Sequence, residues 1–467
     1  MAQSYHDQVV RIKNKLLQAK EADKRLKVFG ADRHAYIVHK PATLDRVMNF
    51  EQQYSVELPD CYKSFILHIG NGGTGYQKSA AGPSYGIYPF GEYVDELIAE
   101  DLEEYLKSEC VIHPDMSDEY WRELTKNIDN NDAISDDDYD AENGKLFGGI
   151  LPIGSQGCTY LHGLILNGPF KGKVVNLDMD RQKPKFTFEN NFLDWYERWL
   201  DEIIDGTLLQ GGPTWFGYGI GGNSLELLDR YQNAKDAGDK KNVLFAILNK
   251  ASIDDNVYDF FEQAYVVDKT NHLLLDLLTK FNYPKARPHL LELSTVDFPN
   301  TVRTLRIYAL SKGHEWIDII EKHIESVKDN VTYVHIRKIL ESTNTDFGQV
   351  ILPLLSSEVE EIRSSVINTL GNLKNKHAYI PEFIIGLEDS SRSVVFHTLG
   401  ALYEATDPVL LPYYKKLIIE SPQEPNSVEH HIQRYLTNNL KLFSLTREAL
   451  MGADLEKPSK KWYEIWK

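Results

Sequence analysis

The chain has 467 residues, 42% hydrophobic and 26% charged, which excludes a wholly disordered class and is enough for two or three separate cores. Its formal net charge of −18 opposes direct binding to nucleic acid or to an anionic membrane and favours a basic partner. There is no apolar run of about 18 residues and no signal-peptide pattern, and Cys61, Cys110 and Cys158 lack the spacing of a zinc site or disulfide framework; the expectation is a cytoplasmic protein with no membrane span, metal or cofactor.

Residues 1–34 predict a leading helix, Lys/Arg-rich between Gln8 and Lys27, with Val9, Ile12, Leu16 and Leu17 at helical spacing. A mixed α+β domain is expected over 35–205. Its first helix covers 44–54, with Thr43 as cap and Asp45 in the first turn. A second begins after Leu58-Pro59, where a first turn tolerates a missing N–H, and Tyr62, Phe65, Ile66 and Ile69 recur as one apolar stripe. Gly70 is expected to be the left-handed residue that ends it, and Asn71, Gly72 and Gly73 to form a tight loop before an aromatic strand at 85–90. With further strands around 159–166, 173–177 and 185–188, this predicts an antiparallel sheet covered on one face by helices. The closing helix places Phe192, Trp195, Tyr196, Trp199, Leu200 and Ile203 on one face, so both tryptophans read as core.

Charge is concentrated in one stretch. Residues 92–142 hold 19 acidic residues against Lys107, Arg122 and Lys126, a net −16, which leaves −2 for the rest of the chain. Val94, Leu97, Ile98 and Leu102 give this insert helix-like runs, whereas 129–143 reads as a polar loop. Asp132, Asp136, Asp137, Asp138, Asp140 and Glu142 are the candidate partner-binding residues, with a solvated acidic loop as the plainer reading. A calcium loop is disfavoured because the EF-hand order of ligands and glycine is not met.

Several separated motifs occur in one order: Leu58, Pro59, Tyr62 and Phe65 with Gly70-Asn71-Gly72-Gly73, then Ile150-Leu151-Pro152-Ile153-Gly154 with Gly157 and Cys158, then 163–166, then 173–178. Together they resemble the SUKH superfamily, which includes bacterial immunity proteins and fungal killer-toxin-resistance and cell-wall-synthesis regulators, over about residues 35–205 of the chain. The resemblance implies a non-catalytic α+β recognition module in which these motif residues are structural.

A glycine-rich junction at 206–223 is the expected linker. Gly217 to Gly222 is similar to a phosphate-binding loop but lacks the preceding strand such loops need, so a hinge anchored by Trp215, Phe216 and Tyr218 is preferred. Asn223 and Glu226 have capping-box spacing, and helical patterns then run alone over 224–467. Arg363, Ser364, Val366, Thr369, Leu370, Gly371 and Leu373 are matched 29 residues on by Arg392, Ser393, Val395, Thr398, Leu399, Gly400 and Leu402, while Pro353, Pro381 and Pro412 each lie in an apolar helix start. A period near 30 with two helices per unit resembles short HEAT-like repeats, an all-α solenoid. The repeated arginine is expected to bond a neighbouring repeat rather than a ligand.

Catalytic chemistry has little support. There is no His-Glu-x-x-His and no Gly-x-Ser-x-Gly pattern; Cys158 near His162 reads as a core thiol; and His377, His397, His430 and His431 stand without partners in sequence. The leading expectation is an immunity protein that neutralises a basic, nuclease-like toxin domain by stoichiometric binding. A scaffold or regulatory adaptor, and an enzyme with an unrecognised site, are the alternatives.

Overall fold

A computed structural model describes residues 5–98, 100–129, 131, 133–210, 216–403, 405, 407–420, 428–440, 448, 451 and 452, in two compact units divided between Val266 and Val267. In the first unit, β1 Ile150–Gly157, β2 Tyr160–Ile165, β3 Val174–Asp178 and β4 Lys185–Phe186 form an antiparallel sheet in sequence order. Ile150 stands opposite Ile165, Leu161 opposite Leu177, and Val175 opposite Phe186.

The first strand is not the one expected. The 85–90 segment joins no strand: Ile87 makes an isolated bridge to Ala80, and the N–H groups of Tyr85 and Tyr88 donate to Ser155 O (3.2 Å) and Ile153 O (2.9 Å) on the outer side of β1. Gly86, at φ +99°, and Pro89, which has no N–H, interrupt any regular ladder there. β1 itself contains Pro152, Gly154 and Gly157, all of which read as turn residues. It absorbs them through register shifts between Pro152 and Gly154 and between Ser155 and Gly157, in a strand with only one laddered neighbour.

Both faces of the sheet are covered, where one was expected. Leu151, Ile153, Leu164 and Val174 face a core that includes α1 His6–Ala22, α2 Leu44–Gln53 and α3 Asp60–His68. Ile150, Leu161, Ile165, Val175 and Leu177 face the acidic insert, with α4 Leu102–Lys107, α5 Asp118–Thr125 and α6 Asp136–Phe147, whose apolar residues Ile112, Met116, Trp121, Leu146 and Phe147 close the second core. The first core is completed by α7 Phe192–Ile204, which buries Phe192, Trp195, Tyr196, Trp199, Leu200 and Ile203 as its spacing predicts. Charge locks α1 onto α7: Glu197 accepts from Gln8 (3.0 Å), Arg11 (2.9 Å) and Lys15 (2.9 Å).

Helices α8 Ser224–Gln232, α9 Ala237–Leu248 and α10 Asp255–Val267 follow, the first opened by the capping box of Asn223 and Glu226. They are tied to the end of α7, since Lys250 pairs with Asp205 (3.3 Å) and Gln210 Nε2 donates to Asn249 O (3.0 Å). The change to an all-helical pattern near 206–223 and the division between compact units therefore fall at different places.

The second unit is all-helical among its described residues. Pairs of helices follow one another: α11 His272–Phe281 with α12 Tyr283–Val296, α13 Phe298–Tyr308 with α14 Ile317–His323, then α15 Asn330–Ser342 followed by the short turns at Gly348–Ile351 and Leu352–Ser356. They continue as α16 Glu360–Gly371 with α17 Ile380–Leu387, and α18 Arg392–Ala401 with α19 Leu411–Glu420, before α20 Val428–Leu440. The leading helices of successive pairs pack on one another. Arg303 bridges to Asp276 (2.9 and 2.8 Å), Tyr333 Oη donates to Thr369 Oγ1 (2.8 Å), and Arg363 binds Asp389 (2.7 and 2.8 Å) just before α18. A Cβ on Gly371 would meet Ala401 Cβ at 2.5 Å, which demands glycine there, whereas a Cβ on its repeat equivalent Gly400 would meet nothing closer than Tyr435 Oη at 3.9 Å. No helix among the described residues is long and apolar enough to cross a membrane.

Candidate functional site

The acidic residues singled out in the sequence lie mostly on one helix. Ser135 caps α6 by accepting from the Asp138 N–H at 3.2 Å, and its hydroxyl donates to Asp138 Oδ2 at 2.7 Å. Asp136, Asp137 and Asp138 fill the first turn, where carboxylates complement the unpaired N–H groups and the helix dipole. The expected loop at 129–143 is therefore corrected to a helix over most of its length; the polar run hid it because only Gly144, Leu146 and Phe147, at its far end, are buried. Asp136 to Asp138 are exposed, Asp140 and Glu142 half-buried, and Asp132 lies outside the described residues. Glu142 accepts from Lys145 (2.6 Å) and Asn127 (2.8 Å), and these bonds hold its carboxyl below the ordinary range.

Two cations between β3 and β4, without any sequence signal, fasten this insert to the sheet. Arg181 donates to Asp129 (2.8 Å) and to Tyr139 Oη (3.1 Å), while its carbonyl accepts from Trp121 Nε1 (3.0 Å). Lys183 pairs with Asp118 and lowers its pKa. Arg46 stands 3.9 Å from Glu92. Among the described residues, Asp136 and Asp137 have no cation within 4 Å. The arrangement is a negative surface carried on helices that are anchored by a core, rather than on a free loop.

The glycine motif is a stitch between segments. Asn71 Oδ1 accepts from the Phe90 N–H at 2.6 Å, Gly72 O accepts from His39 N–H at 2.8 Å, and Gly73 N–H donates to Lys78 O at 2.7 Å. Gly72 has φ +67°. Gly70 does not have positive φ, contrary to the sequence expectation; a Cβ there would meet Val38 Cγ1 at 2.1 Å and His39 O at 2.4 Å, so close approach demands the glycine. Gly154 is similar, with Gly86 O 2.3 Å from a Cβ position. Leu58, Tyr62 and Phe65 are buried, and Pro59 precedes α3 as its cap.

Cys158 is exposed at the β1–β2 turn with φ 50°, not a core thiol, and His162 is buried. Burial pushes His162 down to about 4, and its Nδ1 lies 3.0 Å from Asn176 Oδ1. In the glycine-rich junction, Trp215 lies outside the described residues, Phe216 packs on Trp195 (5.9 Å between centroids), and Tyr218 Oη donates to Gln156 Oε1 (3.3 Å). Arg198 lies against Gly221, 2.1 Å from a Cβ position, and binds Glu189 (2.6 Å) and Glu202 (2.8 Å). The side chains of His430 and His431 lie outside the described residues. Among the described residues, no group of three or more His, Cys, Asp or Glu is placed to hold a metal ion.

The first unit is thus a sheet sandwiched between an aromatic helix and an inserted layer, with the glycine stitch at its edge. Residues 41–198 match the SMI1 / KNR4 family (SUKH-1), which gives this part of the chain its class. No curated protein and no solved structure matches the chain.

Proposed function

We propose that the chain is an immunity protein that neutralises a toxin domain by forming a stoichiometric complex, with the acidic insert as the capture surface for a basic partner of nuclease type. The observation that carries this reading is the insert itself: a net −16 segment packed on the second face of a SUKH-family sheet, with Asp136 and Asp137 exposed and, among the described residues, without a cation within 4 Å. Such a field raises the association rate of a basic protein and competes for a site made for phosphates. Stacked helix pairs in the second unit favour a second reading, a scaffold that recruits partners along the stack.

The test is to copurify the chain with the product of the neighbouring gene and to follow binding by stopped flow. Replacing Asp136, Asp137, Asp138 and Asp140 with Asn should slow association and flatten its salt dependence, because rim charges act through steering screened over about 8 Å at physiological salt. Loss of the dipole complement should also cost α6 about 1 kcal/mol. Equal on-rates and equal salt slopes would discard acidic capture, and a neighbour that does not bind would favour the scaffold.

A further inference from the structure

An open groove of about 1120 Å³ in the first unit runs along α7, Gly221-Gly222 and the start of α8. Small-molecule sites are about 300–1,000 Å³ and more enclosed, so its scale suits a segment of chain. Two large apolar side chains stand open in it, Ile204 (36% exposed) at the end of α7 and Leu225 (51% exposed) on α8. Eight carboxylates and three cations surround them. Arg198 is bound by Glu189 and Glu202, and Lys250 by Asp205, whereas Asp194 and Asp229 accept from the neutral amides of Gln8 (2.9 Å), Asn191 (2.7 Å) and Asn233 (3.1 Å). Burial, with Glu197 and Asp205 nearby, holds the Asp201 carboxyl above its ordinary value although Lys15 opposes the shift.

The other flank of the same row on α7 already carries a basic helix. Gln8, Arg11 and Lys15 of α1 follow one another at i, i+3 and i+7, and so do Asp194, Glu197 and Asp201 of α7. The two rows meet in register: Gln8 on Asp194 at 2.9 Å, Arg11 on Glu197 at 2.9 Å and Lys15 on Asp201 at 2.7 Å. All three carboxylates also line the groove, where no helix covers them.

We propose that this groove binds a basic amphipathic helix of a protein partner, laid along α7 on the side away from α1. Its apolar stripe would cover Ile204 and Leu225, and its lysines or arginines would meet the carboxylate rim as the cations of α1 do. An acidic helix would be repelled by that rim, and a polycation without apolar side chains would leave Ile204 and Leu225 in water. The inference rests on the reading that the partner is basic, and it adds to the insert a second contact surface, one that lies mostly beyond the family-matched residues 41–198.

Fluorescence anisotropy of a labelled leucine–lysine amphipathic helical peptide, titrated with the full chain at physiological salt, tests this without knowledge of the partner. The lysine peptide should bind, and its leucine–glutamate counterpart should not. Leu225→Ser combined with Asp229→Asn, two exposed sites one turn apart on α8, should weaken binding about tenfold. Neutralising Asp136, Asp137, Asp138 and Asp140 should leave it nearly unchanged, because charge at a distance is screened over about 8 Å. Thermal unfolding checks that both variants keep the fold. Absence of binding at about 100 μM, equal binding of the glutamate peptide, or binding that the α8 pair does not alter would each overturn the groove. Loss of binding through the insert variant alone would overturn it too, while leaving the insert as the capture surface.

Discussion

The two faces of the sheet are closed by different means. Toward α7, large aromatic side chains do the packing: Trp195, Tyr196 and Trp199 are fully buried, with Phe65 against Tyr196 at 4.8 Å and Tyr36 stacked on Trp199 at 5.9 Å. Toward the insert, a thinner layer of aliphatic residues and Trp121 sits beneath helices that are mainly charged, and ion pairs from Arg181 and Lys183 complete the closure. Both faces thus combine buried area with charge, since Arg11 and Lys15 also pair with Glu197 on α7, but the α7 face rests far more on large buried aromatic area, which is less sensitive to salt than ion pairs are.

The sharpest way to break this comparison is to truncate one tryptophan on each side. Trp199→Ala should cost about 3–5 kcal/mol, and Trp121→Ala, with some residual exposure, should cost less, at about 2–3 kcal/mol. Urea unfolding measures both; a Trp121→Ala variant as stable as wild type would show that the insert is not a true second layer.

Acid separates the faces next. His34 and His162 both lie on the α7 side, near Trp199 and Trp195, and burial pushes each down to about 4 from 6.5. Between those values the unfolded chain binds protons that the folded chain refuses, so stability should fall as pH drops from 6.5 toward 4, by on the order of 2–3 kcal/mol per histidine. Glu142, on the insert side, has the opposite linkage: its lowered pKa gives stability that is present above the ordinary glutamate value and is lost only as pH falls through the folded value. His162→Gln should flatten the upper part of the pH–stability curve, and an unchanged slope would count against the buried neutral histidine.

The smallest effect belongs to the glycine stitch that borders the α7 core. Gly72→Val, at φ +67°, should cost about 1 kcal/mol or more. Gly70→Ala should cost about 1–3 kcal/mol through overpacking against Val38 and the His39 carbonyl. Thermal unfolding reads both, and if Gly70→Ala is harmless, close approach is not what holds that position.

Much of the α7 side was legible because its signals are periodic. The stripe of Phe192, Trp195, Tyr196 and Trp199, the alternation in β2 and β3, and the helix after Pro59 are all local patterns. The insert side was not legible. A run of aspartates suggests a loop unless the cap at Ser135 and the distant Leu146 and Phe147 are weighed together, and β1 hides behind Pro152, Gly154 and Gly157. Asn176 and Asp178 alternate with Val175 and Leu177, and the burial of every residue of β3 follows from the two covering layers, which no local pattern shows. In the second unit the 29-residue match exposed two helix pairs, whereas the stacking that begins at α11 is carried by different residues in each pair and leaves no repeated letters.

The segment lying along β1 has a consequence for how anything can be recognised here. Tyr85 and Tyr88 already use the carbonyls of Ser155 and Ile153, Pro152 offers no donor, and at the opposite border β4 is two residues long and carries an exposed lysine. Neither border presents the row of unpaired main-chain groups that an incoming extended peptide would need to extend the sheet. An incoming strand therefore finds no free ladder at either border, and aggregation through these borders is discouraged.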